Sequence, residues 1–111
     1  MTTSAFEAWW RTLDADTQDA VAGHIALIEV FGPNLGRPYA DTLKGSAVHN
    51  VKELRVTHRG RPLRVLFAFT PERTALLLVG GDKTGQRRWY ERAIRQAEAA
   101  FRHHVDARQR T

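Results

Sequence analysis

The sequence predicts an α+β domain: an N-terminal helical hairpin packed on a three- to four-stranded antiparallel meander, followed by a C-terminal helix. Three observations predict it. Apolar residues recur at helical spacing up to about Phe31, the pattern changes to alternation between Val51 and Thr70, and helical spacing returns after Gly85. Helices and strands are therefore segregated along the chain, unlike the regular alternation of βαβ units. With 111 residues, 42% of them apolar and 26% charged, the chain is expected to form a single globular domain over residues 1–111.

Taken in order, Phe6, Trp9, Trp10 and Leu13 mark a first helix from Ser4 to Leu13, with Thr3 or Ser4 as its cap. Asp14 or Asp16 caps a second helix running to about Phe31. Its apolar stripe is Val21, Ile25, Ile28 and Phe31, broadened by Leu27 and Val30, and Gly32-Pro33 stops it. So short a link predicts a helical hairpin. Residues 32–46 are crowded with Gly, Pro and Asn and read as a loop holding a short edge strand near Tyr39 to Leu43. Val51 to His58 and Pro62 to Thr70 alternate, while Thr74 to Val79 is continuously apolar. These are three consecutive strands, the last buried on both faces, with turns at Arg59-Gly60 and Pro71-Glu72. The run Gly80-Gly81-Asp82-Lys83-Thr84-Gly85 closes the sheet. A final helix starts near Gln86 and passes Phe101, with Tyr90, Ala93, Ile94, Ala97, Phe101 and Val105 on its inner side. Residues 106–111 read as a fraying basic tail.

Several function classes are excluded at this level. No apolar run approaches the roughly 20 residues of a membrane span, and the first ten residues lack the pattern of a secretory signal. Cysteine is absent, so disulfide and thiolate chemistry are out, and a cytoplasmic setting without membrane attachment is expected. Seventeen Lys and Arg against twelve Asp and Glu leave a net charge of +5, which points to an anionic partner such as nucleic acid or an acidic protein. The histidines His24, His49, His58, His103 and His104 show no metal-ligand spacing. Neither a metal nor another cofactor is expected.

A two-residue loop at Arg59-Gly60 fixes the central hairpin. His58 and Arg61 become the last facing pair, and behind them Val56 faces Leu63, Arg55 faces Arg64, Leu54 faces Val65, Glu53 faces Leu66 and Lys52 faces Phe67. One face then carries Leu54, Val56, Leu63, Val65, Phe67 and Phe69, which the N-terminal helices can cover. The weak point of this register is a bulge between Thr57 and Pro62. The other face sets Arg55 beside Arg64, and like charges so placed repel. Two explanations stand: Glu53 lies diagonally and neutralises one arginine, or the two guanidinium forks receive a phosphate. The glycine-rich run fits neither the phosphate loop nor the dinucleotide fingerprint. It does lead into a helix N-terminus, which favours anions, with Lys83, Arg87 and Arg88 close by; otherwise it is a flexible turn with a basic rim. Tyr90 belongs to the helix stripe, or stands at the cleft mouth where it could stack on a base.

In this order, Leu43-Lys44-Gly45, Val51-Lys52-Glu53-Leu54-Arg55-Val56, Leu63-Arg64-Val65-Leu66-Phe67, Gly80-Gly81-Asp82-Lys83 and Trp89-Tyr90 followed by Ala93-Ile94 resemble the RelE/ParE superfamily of type II toxins, most of all its HigB-like branch. The resemblance covers about residues 43–95, and the two preceding helices suit the RelE-like order. It implies a small ribosome-dependent messenger-RNA endonuclease silenced by a cognate antitoxin, with the ribosome and mRNA as further partners. The family's basic positions on the second and third strands of the meander fall on Arg55 and Arg64, its late tyrosine on Tyr90, and the basic residue before the last helix on Lys83 or Arg87. Two residues before Arg55, where the best-known nucleases carry another basic residue, this chain carries Glu53. The alternatives are therefore a non-catalytic inhibitory module like the gyrase-poisoning subgroup, or a plain nucleic-acid-binding domain.

The chemistry such an enzyme needs follows from RNA itself. Without a metal, the 2′-hydroxyl attacks the adjacent phosphate, leaving a 2′,3′-cyclic phosphate and a 5′-hydroxyl. The site must supply a base, cations for the added negative charge and an acid for the leaving oxygen. Arg55 and Arg64 suit the cationic role. Lys83, Tyr90 and His58 are the proton-transfer candidates, with His58 on the apolar-face side of its strand. The expected catalytic set is thus Arg55, Arg64, Lys83 and Tyr90, and the expected RNA-binding set is Lys52, His58, Arg87 and Arg88.

Overall fold

Local chemistry sets the helix starts. Thr3 accepts a hydrogen bond from the Phe6 N–H at the head of α1 (Ser4–Trp10), and Asp14 accepts one from the Thr17 N–H at the head of α2 (Ala15–Phe31). The computed structural model describes residues 1–44, 51–85 and 87–109; His49 lies outside them. A 3₁₀ turn (Gly32–Asn34) follows α2, then β1 (Ala40–Thr42), β2 (Lys52–His58), β3 (Arg61–Phe69), β4 (Ala75–Asp82) and α3 (Arg87–Gln109). The four strands form one antiparallel sheet in the order β1-β2-β3-β4. This is the α+β architecture expected from the sequence.

The β2–β3 register is the one the two-residue turn requires, with Arg55 opposite Arg64 and Glu53 opposite Leu66. Arg59 and Gly60 both take positive φ, 52° and 76°, the conformation whose twist matches a hairpin. No bulge breaks this register at its weak point, where Thr57 pairs with Pro62. The register shift lies instead between β3 and β4, at Leu66/Phe67. Leu77 consequently packs toward the N-terminal helices, whereas Leu76, Leu78 and Val79 join the opposite core.

The sheet is buried on both faces. Phe6, Val21 and Ile28 cover Leu54, Val56, Leu63, Val65 and Phe67 on one side. On the other, α3 lays Ala93 and Ala97, with Ile94 and Phe101, over Leu66, Ala68, Leu76 and Leu78. The Arg55–Arg64 face is therefore an apolar core along most of its length, and the two arginines occupy one end of it, beside the start of α3.

Three boundaries and the exposure of two residues differ from the sequence expectation. Helix α1 ends at Trp10, and tight turns carry the chain onward, the Thr12 and Leu13 N–H groups donating to Trp9 and Trp10 carbonyls. Val30 and Phe31 are 74% and 54% exposed; at about 3.6 residues per turn, Val30 lies across the helix from Val21 and Ile28. Helix α3 continues through residues 106–109, assigned above to a fraying tail, and an Arg108–Glu72 ion pair ties its end to the β3–β4 turn. Strand β4 extends through Gly80, Gly81 and Asp82, which pair with Val65, Arg64 and Leu63.

Glycine in α2 offers a direct check. Gly23 is exposed in the helix interior, and an added Cβ there meets nothing within 4 Å. Gly23→Ala should raise stability by about 0.5–1 kcal/mol through the smaller backbone entropy loss on folding. A urea titration measures it, and a lowered midpoint would contradict the packing described for α2.

Candidate active site

Glu53 is the centre of the cluster at the Arg55–Arg64 end of the sheet. Only 6% exposed, its carboxylate is held from three sides. Arg55 donates to Oε1 from Nε and from Nη2, both at 3.1 Å. The Tyr90 hydroxyl donates to Oε2 at 2.6 Å. Arg64 Nε stands 3.7 Å from the same oxygen. Strand alternation places Glu53 and Arg55 on one side of β2, pairing brings in Arg64, and the first turn of α3 lowers Tyr90 onto them.

The two arginines differ in role. Arg55 also reaches Asp41 Oδ2 at 3.5 Å, bridging two carboxylates that face each other across β1 and β2. Asp41 is held further by Arg37, at 2.9 Å. The hydrogen bond from Arg37, and to a lesser degree the Thr42 N–H and the charge of Arg55, keep the Asp41 carboxyl below its usual range. Arg64 lies deeper, 9% exposed, with Nη1 donating to its own strand's Leu63 carbonyl at 2.9 Å. Its Nε is buried with no hydrogen-bond partner among the described residues. Of the two explanations for the paired arginines, neutralisation by Glu53 is the one observed, and it engages both guanidinium groups.

A cleft of about 300 Å³ opens onto this cluster. Residues 41–44 form one wall, Glu53 and Arg55 its floor, and Tyr90 and Ile94 of α3 the other wall. Lys44 brings a cation to the rim. The Lys83 ammonium stands 6.0 Å from the Tyr90 ring centroid. A larger groove of about 440 Å³ lies between the chain start and the far end of α3, walled by alanines and the hydroxyl residues at positions 2–4, with His103 and His104. It gathers no comparable set of opposed charges.

Tyr90 is tuned by this setting. Burial first, then its bond to the Glu53 carboxylate and that carboxylate's charge, push the phenol above its usual value, with Arg64 acting in the opposite sense. The neutral phenol is therefore the form that folding favours. Its contribution to stability is complete below the ordinary tyrosine range and is lost as pH rises through the higher folded value. Tyrosinate absorbance should show a late-titrating group that Tyr90→Phe removes and Glu53→Gln returns toward the ordinary range. A Glu53→Gln protein whose late-titrating tyrosine is unchanged from wild type would contradict the Tyr90–Glu53 bond.

The expected site residues separate into two groups. Arg55, Arg64 and Tyr90 come together around Glu53, with Lys83 beside them. Lys52 and His58 lie on the other side of β2. The Lys52 ammonium donates to the Pro33 carbonyl at 2.9 Å, and His58 Nε2 stands 3.0 Å from Asp16 Oδ2 on α2. His58 is thus not placed to serve this cleft. Arg88 is exposed on the first turn of α3, and for Arg87 only the backbone is described.

Gly80 and Gly81 are not a phosphate cradle. A Cβ on Gly80 would lie 2.1 Å from the Trp9 ring, and one on Gly81 would lie 2.3 Å from Trp89 Nε1. The glycines seat two indoles, and Trp89 in turn packs edge-on against Tyr90, with centroids 5.0 Å apart. The sequence reading missed Glu53 as the organising group, and it missed Asp41 and Lys44 as cleft walls. The signal for Glu53 was a carboxylate next to an arginine pair on a face otherwise apolar.

No group of three or more His, Asp or Glu among the described residues is arranged to hold a metal ion. No described helix is long and apolar enough to cross a membrane.

Comparison with known proteins places the chain. The model of the family described as "Phage derived protein Gp49-like (DUF891)" matches residues 8–102. A Mycobacterium tuberculosis (strain ATCC 25618 / H37Rv) protein named "Putative toxin HigB3" is 48% identical over 89 residues, covering 79% of this chain and 76% of that protein. A second from the same strain, "Putative toxin HigB2", is 42% identical over 100 residues, covering 88% of this chain; the chain spans only 50% of that relative's length. No solved structure matches. With the family model covering most of the chain and a close relative matched over most of its length, the chain belongs to the Gp49-like (DUF891) family and groups with the HigB toxins.

Proposed function

We propose that this chain is the toxin of a type II toxin–antitoxin pair, of the RelE/ParE kind, and that it cuts messenger RNA on the translating ribosome. The observation that carries this reading is an open cleft lined by Glu53, Arg55 and Tyr90 and rimmed by Lys44, with Arg64 packed behind Glu53 and Lys83 near the Tyr90 ring. Metal-free cleavage through the 2′-hydroxyl needs a proton acceptor and fixed positive charge within reach of one phosphate, and these side chains supply both. The ribosome would present the message in a bent, attack-ready geometry. The chain's own contribution then reduces to proton transfer and charge stabilisation, which suits so small and open a site. The HigB names of its relatives support a cognate antitoxin as the partner that silences it.

Expression in growing cells without antitoxin, with mapping of message 5′ ends, tests this. New ends inside translated frames are expected. Double-strand DNA breaks with intact messages would replace the nuclease with a gyrase-directed binding module. Growth without effect would leave a nucleic-acid-binding domain.

A further inference from the structure

We infer that Glu53 is the general base of this site, and that its protonation is the event that frees the arginines to act on the phosphate. This rests on the ribonuclease reading above. It departs from the resemblance, which places a basic residue at this position.

The geometry points to Glu53 for two reasons. It is the carboxylate on the cleft floor, with Asp41 the only other acid in the lining among the described residues, and Asp41 is already held by Arg37, Arg55 and the Thr42 N–H. It is also the shared partner of the charged and titratable groups that face it: Arg55 from its own strand, Arg64 from β3 and Tyr90 from α3, with Asp41 of β1 reached through Arg55. Lys44 and Lys83 complete the surroundings at greater distance.

In the resting state Arg55 is turned to Glu53 and Asp41, and Arg64 to Glu53, so neither guanidinium group presents an open anion seat. When a 2′-hydroxyl enters the cleft, its proton passes to a Glu53 oxygen and the 2′-oxygen bonds to phosphorus. The bond from phosphorus to the 5′-oxygen then breaks, and the leaving oxygen takes a proton from water in the open cleft. Glu53 returns its proton to solvent. At the first transfer Glu53 becomes neutral and its hold on both guanidinium groups weakens. Their charge becomes available at the moment the phosphate gains its extra negative charge. One proton transfer thus both activates the nucleophile and switches on the stabilising field, and a substrate that offers no proton does not trigger the switch.

The test is the pH dependence of message cleavage on purified translating ribosomes. The wild-type rate should fall on the acid side of the profile. Glu53→Gln keeps the side-chain shape and a carbonyl acceptor for Tyr90, yet should cut about 10²–10⁴-fold more slowly and lose the acid limb of the profile. Glu53→Asp, which keeps a carboxylate, should cut faster than Glu53→Gln and retain the limb; it also carries the test if the glutamine variant fails to fold by circular dichroism. A folded Glu53→Gln protein within about threefold of wild type, or one with an unchanged acid limb, would reduce Glu53 to a tether and overturn the inference while leaving the nuclease reading intact. A wild-type chain that cuts no message would overturn both.

Discussion

Replacing Arg64 with alanine should lower message cleavage about 10²–10³-fold, equivalent to about 3–4 kcal/mol of lost transition-state stabilisation. Arg64 stands behind Glu53, 3.7 Å from its Oε2, and holds a permanent charge beneath the cleft floor on a central strand. The same substitution removes a nearly buried side chain and its bond to the Leu63 carbonyl, so stability should fall by about 1–3 kcal/mol. Glu53 keeps Arg55 and Tyr90, and a domain with ordinary stability survives a loss of that size. Activity should therefore vanish before the fold does, and circular dichroism separates the two. Arg64→Lys is the sharper probe, because it keeps the charge and loses the planar fork. Partial activity would mean that the field of the charge suffices; complete loss would mean that a phosphate oxygen sits on the fork. A folded Arg64→Ala protein cutting at the wild-type rate would remove Arg64 from the site.

The largest stability effects should come from the adjacent glycines of β4. Gly80→Ala drives a methyl group to 2.1 Å from the Trp9 ring, with two further ring atoms within 2.6 Å, and Gly81→Ala drives one to 2.3 Å from Trp89 Nε1. Neither indole has an easy retreat. Trp9 packs against Phe6 at 5.8 Å between centroids, and Trp89 against Tyr90. Overpacking of this kind costs about 1–3 kcal/mol or more, and each should lower the melting temperature by several degrees. The same chemical change at Gly23 should raise it. Trp9→Leu should recover part of the loss in Gly80→Ala and none in Gly81→Ala, because the two glycines face opposite sides of the sheet. Gly81→Ala should also depress cleavage beyond its stability cost, since Trp89 flanks Tyr90. Wild-type melting for either variant would show that the indoles do not lie on these glycines.

Much of this molecule is written in local pattern. The helix caps at Thr3 and Asp14 and the alternation of β2 and β3 are short-range signals, and the structure follows them. So is the Arg59-Gly60 turn, whose two positive φ angles set the facing pairs one by one. What the sequence hides depends on which elements meet. Gly80 and Gly81 look like a loop because their function is to lack a side chain where indoles from α1 and α3 arrive, and that is invisible without the packing. Val30 and Phe31 look like core because hydrophobicity alone cannot tell which side of α2 faces the sheet. The Arg55–Arg64 pair was legible as a site, but its state was not. Asp41 reaches it from β1, a three-residue strand inside a loop-like stretch, and Tyr90 comes from the start of α3. Those long-range arrivals make Glu53 the hub, whereas its place two residues before Arg55 suggests only a diagonal counterion.

The most direct measurement replaces the nucleotide on the 5′ side of the mapped cut with its 2′-deoxy counterpart in a defined message loaded on purified ribosomes. With the nucleophile gone, cleavage at that position should disappear, while the all-ribose message is cut to leave a 5′-hydroxyl on the downstream fragment and a 2′,3′-cyclic phosphate or its opened form upstream. Cleavage of the deoxy-substituted message at an unchanged rate, or a 5′-phosphate on the downstream fragment, would contradict a site built on Glu53, Arg55, Arg64 and Tyr90 to activate a 2′-hydroxyl.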